Sequence, residues 1–230
     1  MTNFVVSMDK SGYIISISKE QLAELPVIMF PGAITLVDTA SAAHEALRRL
    51  SKEKIVGFDT ETRPSFRKGC CHKVALMQIS TADRCYLFRL NRIGICADLK
   101  NFLENPDITK IGLSVHDDFH AISRTEEFSP QGFIDLQQMV KKFNIEDISL
   151  QKIYAIVFGR RISKGQRLTN WEADSLTPAQ QAYAALDAWA CLKIYRHFED
   201  GGFDMHDSPY RHKPVPAPEP ALSSKAVKES

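Results

Sequence analysis

Residues 55–66 read IVGFDTETRPSF, an apolar run that ends on two carboxylates spaced two apart, Asp59 and Glu61. Ile55, Val56 and Phe58 favour a buried strand. Side chains at i and i+2 of a strand share a face, so Asp59 and Glu61 stand side by side. Two carboxylates held together repel, and one pKa rises, unless a cation holds them. Hard divalent cations such as Mg2+ and Mn2+ take carboxylate oxygens, so a metal is an economical answer. The plainer alternative has Asp59 capping the strand end and Glu61 facing solvent.

On either side of this strand the patterns alternate. Upstream, YIISIS from Tyr13 and AITLVD from Ala33 are strand-like, and DTASAAHEALRRL is a helix capped by Thr39 or Ser41. Downstream, KVALMQIS and RCYLFRL are joined by TAD and predict a hairpin. ADLKNFLEN is a helix, ITKIGLS a strand running into the helix VHDDFHAISR, and FIDLQQMVKKF a short strand turning into a helix. SLQKIYAIVFG is a helix stopped by Gly159, and a basic connector, RRISKGQRLTNWEADSL, follows it. TPAQQAYAALDAWACLKIYRHFED is a long helix with Thr177 as cap and Pro178 at the first position. Three strands in a row, then strands alternating with helices, predict an α/β fold with a mixed sheet. We divide the chain into a lead-in (1–32), a main domain (33–204) and a proline-rich tail (205–230) expected to be disordered.

The bulk numbers agree with a soluble protein. Of 230 residues, 44% are hydrophobic and 25% charged, and the formal net charge is +1, so any polyanion site must be a local patch. No apolar run approaches the ~20 residues that span a bilayer, and MTNFVVSMDK has no basic leader before a long apolar core. Five cysteines without a Cys-x-x-Cys pair make neither a zinc nor a disulfide framework, and reduced thiols in a cytoplasmic protein are expected.

Two further acidic pieces lie far along the chain. Asp117 and Asp118 open a helix just after a strand end, where acids are favoured in any first turn but where ligand sites of open α/β sheets also lie. Tyr183 and Asp187 are four apart on the long helix and share one face. Asp187 is flanked by Ala184, Ala185 and Ala188, which would let the helix approach the sheet closely. Taken alone, this pair could also be a simple Tyr–Asp hydrogen bond at a helix edge.

The order Asp-x-Glu at a strand end, an Asp after KIG, then Tyr-x-x-x-Asp on a late helix resembles the three motifs of the DEDDy 3′–5′ exonucleases. VGFDTE, VALMQIS, SLQKI and NWEADSLTPAQQAYAALDA resemble the RNase D and Werner-type exonuclease domains in particular, over roughly residues 33–200. The resemblance implies an RNase H-like fold with a mixed, five-stranded-type sheet between helices. It makes Asp59, Glu61, Asp118 and Asp187 the four acids and Tyr183 the motif tyrosine, and its spacing selects Asp118 over Asp117. It implies two divalent cations, Mg2+ or Mn2+, acting on nucleic acid with a free 3′ end. Asp59, Glu61 and Asp187 would hold the tighter ion. Asp59 would bridge to a second ion held by Asp118, and Tyr183 would orient the attacking water.

Two basic segments carry an aromatic residue each, as expected where phosphates pass and a base stacks. TRPSFRKG supplies Arg63, Phe66, Arg67 and Lys68, and the connector supplies Arg160, Arg161, Lys164, Arg167 and Trp171. For substrate contacts we select Arg63, Phe66, Arg67, Lys164 and Arg167. Trp171 is read as a packing residue and His116 as a surface histidine. Two other functions fit parts of the pattern. One is a catalytically silent nucleic-acid-binding or scaffold module, which four intact acids and the tyrosine argue against. The other is a hydrolase of small phosphoesters, which the basic loops disfavour. The sequence implies no protein partner and no membrane, and it does not choose between RNA and DNA.

Overall fold

The computed structural model of the chain describes residues 12–65 and 72–214. Ile14–Ile15 form β1, and Ser18 and Gln21 make a reciprocal capping box on α1, Lys19–Glu24. Ala33–Val37 form β2, and Thr39 caps α2, Ala40–Leu50, by accepting from the Ala42 amide. Then come β3 (Ile55–Thr62), β4 (Val74–Ser80) and β5 (Arg84–Phe88). The short α3 (Leu90–Ile93) and α4 (Ala97–Leu103) lead to β6 (Thr109–Gly112) and α5 (Val115–Ser123). β7 (Phe133–Asp135), α6 (Leu136–Lys141) and α7 (Leu150–Phe158) follow. The chain continues through α8 (Pro178–Glu199) to β8 (Arg211–His212). Among the described residues no helix is long and apolar enough to cross a membrane, and Cys85, Cys96 and Cys191 are free thiols.

The main sheet has six strands in the order β2-β5-β4-β3-β6-β7, one more than expected. β3, β4 and β5 form an antiparallel meander, while β2 on β5, β6 on β3 and β7 on β6 are parallel. The mixed sheet thus follows from the strand and helix pattern in the sequence. β3 is central, and its two faces are packed differently. Val56 and Phe58 join Ala43, Leu47 and Leu50 of α2 and Leu99 and Phe102 of α4 in one core. Full burial of each large side chain there contributes about 1.5–3 kcal/mol.

Helix α8 covers the opposite face. At about 1.5 Å per residue its 22 residues run ~33 Å, long enough to cross β2, β3, β4, β5 and β6, all of which it contacts. Gly57 permits the close approach, because a Cβ there would lie 1.9 Å from the Ala188 carbonyl oxygen. Ala184, Ala185 and Ala188 are fully buried in that interface.

The described residues reach beyond 33–204 at both ends. The expected disordered tail does not begin at 205: Met205 is buried, Tyr210 packs on the core, and β8 pairs antiparallel with β1. Pairing with a distant segment overrides a local composition that by itself predicts disorder. Residues 215–230 lie outside the described residues. Within the lead-in, Ile15, Ile17 and Leu22 are buried in the same core as α7 and α8.

Candidate active site

β3 delivers Asp59 and Glu61 to its α8 face, and α8 delivers Asp187 to meet them. One oxygen from each of these three carboxylates lies within 4.8 Å of the others. The helix can place Asp187 there because Gly57 and the neighbouring alanines keep its backbone against the strand. Burial raises all three pKa values first, and the charge of neighbouring carboxylates adds to the rise of Asp59 and Glu61. Glu61 is pushed up to about 9, Asp187 to about 7, and Asp59 well above the usual carboxylate range. Two basic side chains of the connector oppose the rise, Arg167 acting on Glu61 and Lys164 on Asp187.

Tyr183, one turn before Asp187, donates its hydroxyl to that carboxyl. Burial and the nearby Asp187 and Glu61 charges hold the phenol far above its ordinary value. Tyr183 thus keeps its proton and donates it in the hydrogen bond to Asp187.

Asp118 arrives from the other side. Its helix α5 starts after Ser114, a left-handed residue with φ 57° whose amide donates to Asp135 Oδ1 at 3.1 Å. The same oxygen accepts from the Gln137 amide at 2.9 Å, so Asp135 ties the starts of α5 and α6 together. Asp117 faces solvent, while Asp118 turns inward and accepts a hydrogen bond from the Thr60 hydroxyl. Burial lifts Asp118 to about 7, and the Thr60 bond opposes the shift. Asp118 stands outside the tight group of three, close enough for its charge to raise Asp59 and Glu61.

The other selected residues fall differently. Lys164 and Arg167 are exposed on the connector beside the cluster. Arg63 is turned toward the connector, where its Nη1 meets Glu172 Oε2 at 3.3 Å; His72 approaches the other oxygen at 3.6 Å. Phe66 and Arg67 lie outside the described residues, as does Lys68. Arg161 donates to the Leu25 carbonyl at 3.0 Å and so anchors the lead-in. Trp171 is fully buried, 6.1 Å from the Tyr183 ring, and His116 is exposed.

Sequence reasoning missed the residues that hold these pieces in place. Arg89, fully buried, donates to the Ala173 and Asp174 carbonyls, and Arg92 also donates to Asp174. Gln180 donates to Thr169 Oγ1 at 3.0 Å and to the Asn170 carbonyl at 3.3 Å. The connector with Lys164 and Arg167 is thereby moored at its far end to the start of α3 and to α8. The i, i+2 rule assigns Thr60 to the opposite face of β3 from Asp59, and that alternation is the one signal that could have paired it with a helix acid.

The donor set is three clustered carboxylates, Asp187 buried and Asp59 and Glu61 half-buried. Such a set fits a hard divalent cation. Asp59, Glu61 and Asp187 are placed to hold such an ion.

Residues 34–201 match the family described as 3′-5′ exonuclease. The chain is 32% identical over 182 residues to the bifunctional 3′-5′ exonuclease/ATP-dependent helicase WRN of Mus musculus, a match that covers 75% of this chain and 13% of the mouse protein. Its fold is similar to the Nibbler EXO domain of Aedes aegypti, with TM-score 0.64 and 22% identity over 75% of this chain and 92% of that one. It is similar also to Trypanosoma brucei RNase D solved in complex with RNA U12, with TM-score 0.62 and 18% identity over 77% of this chain and 63% of that one. The mixed sheet flanked by helices is thus RNase H-like, and the chain belongs to the 3′-5′ exonuclease family.

Proposed function

We propose that this chain hydrolyses phosphodiester bonds of nucleic acid, releasing nucleotides from a free 3′ end with two divalent cations as cofactors. The observation that carries the reading is the convergence of Asp59, Glu61 and Asp187 within 4.8 Å, in a chain of this family. Asp59, Glu61 and Asp187 would hold one cation, and Asp59 and Asp118 would hold the second. Bound Mg2+ or Mn2+ supplies an activated water and neutralises charge on the reacting phosphate.

The chain's own groups do the positioning. Tyr183 keeps its proton, and its hydroxyl orients the attacking water while bonded to Asp187. Lys164 and Arg167 meet the phosphates of the incoming strand, and Arg63, Phe66 and Arg67 flank its path. The relative solved with RNA supports an RNA substrate, and the relative named for a helicase leaves DNA equally open.

Matched RNA and DNA oligonucleotides labelled at the 5′ end test this. With Mg2+ or Mn2+ the wild type is expected to give a ladder shortening from the 3′ end, and Asp59→Asn none. Tight binding of both oligonucleotides with no ladder would instead identify a silent binding module.

A further inference from the structure

Gln78 sits midway along β4, whose seven residues are all buried. Its side chain is fully buried, and neither its amide nitrogen nor its amide oxygen has a hydrogen-bond partner among the described residues. Buried polar groups are nearly always paired, because leaving them unpaired costs stability. Leu76 lies on the same face of β4, and Leu87 lies opposite Gln78 on β5. A leucine or methionine at 78 would fill the space with no polar atom left over.

The register shows what the amide is beside. Gln78 is directly opposite Asp59 in the β3–β4 pair. Opposed residues of an antiparallel pair share a face, with Cβ atoms roughly 5 Å apart. Helix α8 closes that face, since Gly57 two residues before Asp59 meets Ala188. The amide is therefore enclosed between sheet and helix next to Asp59 of the cluster.

A neutral amide suits this position. A lysine or arginine would compete with a cation for Asp59, and a further acid would add to the repulsion. An amide N–H can fix a carboxylate's direction without changing the charge of the site.

We propose that Gln78 is a positioning residue for the metal site: its Nε2–H donates to the Asp59 carboxylate when a divalent cation is bound and sets the oxygen that the cation takes. The inference rests on the metal-dependent reading given above. Gln78 touches neither the substrate nor the reacting water.

The test compares wild type, Gln78→Met and Gln78→Asn in two measurements, Mn2+ titration by calorimetry and thermal melting with chelator. Methionine keeps the volume and removes both polar atoms. Asparagine keeps the amide but shortens its reach by one methylene. The Met variant is expected to melt at or above wild type with chelator, yet to bind Mn2+ about tenfold more weakly, the lower end for loss of a group that orients a ligand. The Asn variant is expected to bind Mn2+ more weakly as well, so the role stays testable if the Met protein fails to fold. A lower kcat with unchanged KM for an oligonucleotide should accompany the loss. Wild-type Mn2+ affinity in a folded variant would overturn the role of Gln78 alone. A wild type that bound no Mn2+ would overturn both this role and the reading beneath it.

Discussion

Replacing Asp187 with asparagine removes one charge from the cluster and keeps an oxygen to accept from Tyr183. The carboxyl rises from its ordinary 3.8 to about 7, chiefly through burial. At ~1.4 kcal/mol per tenfold change in ionisation, holding that charge costs the folded state up to about 4 kcal/mol above neutral pH. Asp59 and Glu61 share the repulsion and take up protons themselves, so about 2 kcal/mol is the expected gain from the substitution. For a fold of this size that is about 4–8 °C in melting temperature. The sign follows from the raised folded pKa. The folded cluster holds protons that the unfolded chain has lost, so its stability is full at low pH and declines as pH rises through about 7. Asp187→Asn should therefore melt above wild type at about pH 8 with chelator and match it only below about pH 4, where Asp187 is neutral in the unfolded chain as well. Saturating Mn2+ should reverse the order at the higher pH, because wild type gains about 2.7 kcal/mol at one hundred times its dissociation constant and the variant gains far less. Scanning fluorimetry over both pH values, with and without Mn2+, reads all of this. An Asp187→Asn protein that gained as much from Mn2+ as wild type would refute the reasoning.

Tyr183→Phe should bind Mn2+ as wild type does and turn over about 10–100-fold more slowly, a split that calorimetry and single-turnover kinetics separate. Gly57→Ala places a Cβ 1.9 Å from the Ala188 carbonyl oxygen, a backbone atom that cannot swing away; a loss of about 1–3 kcal/mol by urea unfolding and weaker Mn2+ binding are expected together. Lys164→Ala and Arg167→Ala should each weaken oligonucleotide binding uniformly across sequences and reduce the slope of log affinity against log salt by about 0.7, measured by anisotropy.

The strands were legible because their pattern is strong. β4 is buried throughout, and β3 is an apolar run that ends on two same-face acids. The long helix announced its start with Thr177 and Pro178, and both take part in the observed cap. Pieces that depend on distant partners were not legible. α1 reads as polar, with Leu22 its one buried residue, and forms by docking on the core. Residues 205–214 look like a tail until β8 finds β1. Buried cations also gave no sign. Lys110 looks like a surface residue of a short strand, yet its Nζ donates to the Asn105 carbonyl at 2.7 Å and lies 5.0 Å from the Phe133 ring centre. Burial pulls it down to about 8. The four acids stood out through the resemblance of their motifs to a known family, whereas Thr60, Arg89 and Gln78 depend on which strand or helix lies opposite, and no local pattern encodes that.

Diffraction from crystals soaked in Mn2+, collected at an energy where manganese scatters anomalously, tests the metal assignment without reference to turnover. A peak about 2 Å from oxygens of Asp59, Glu61 and Asp187 is predicted, with a second between Asp59 and Asp118. Saturated crystals with manganese elsewhere and none between those three carboxylates would contradict it.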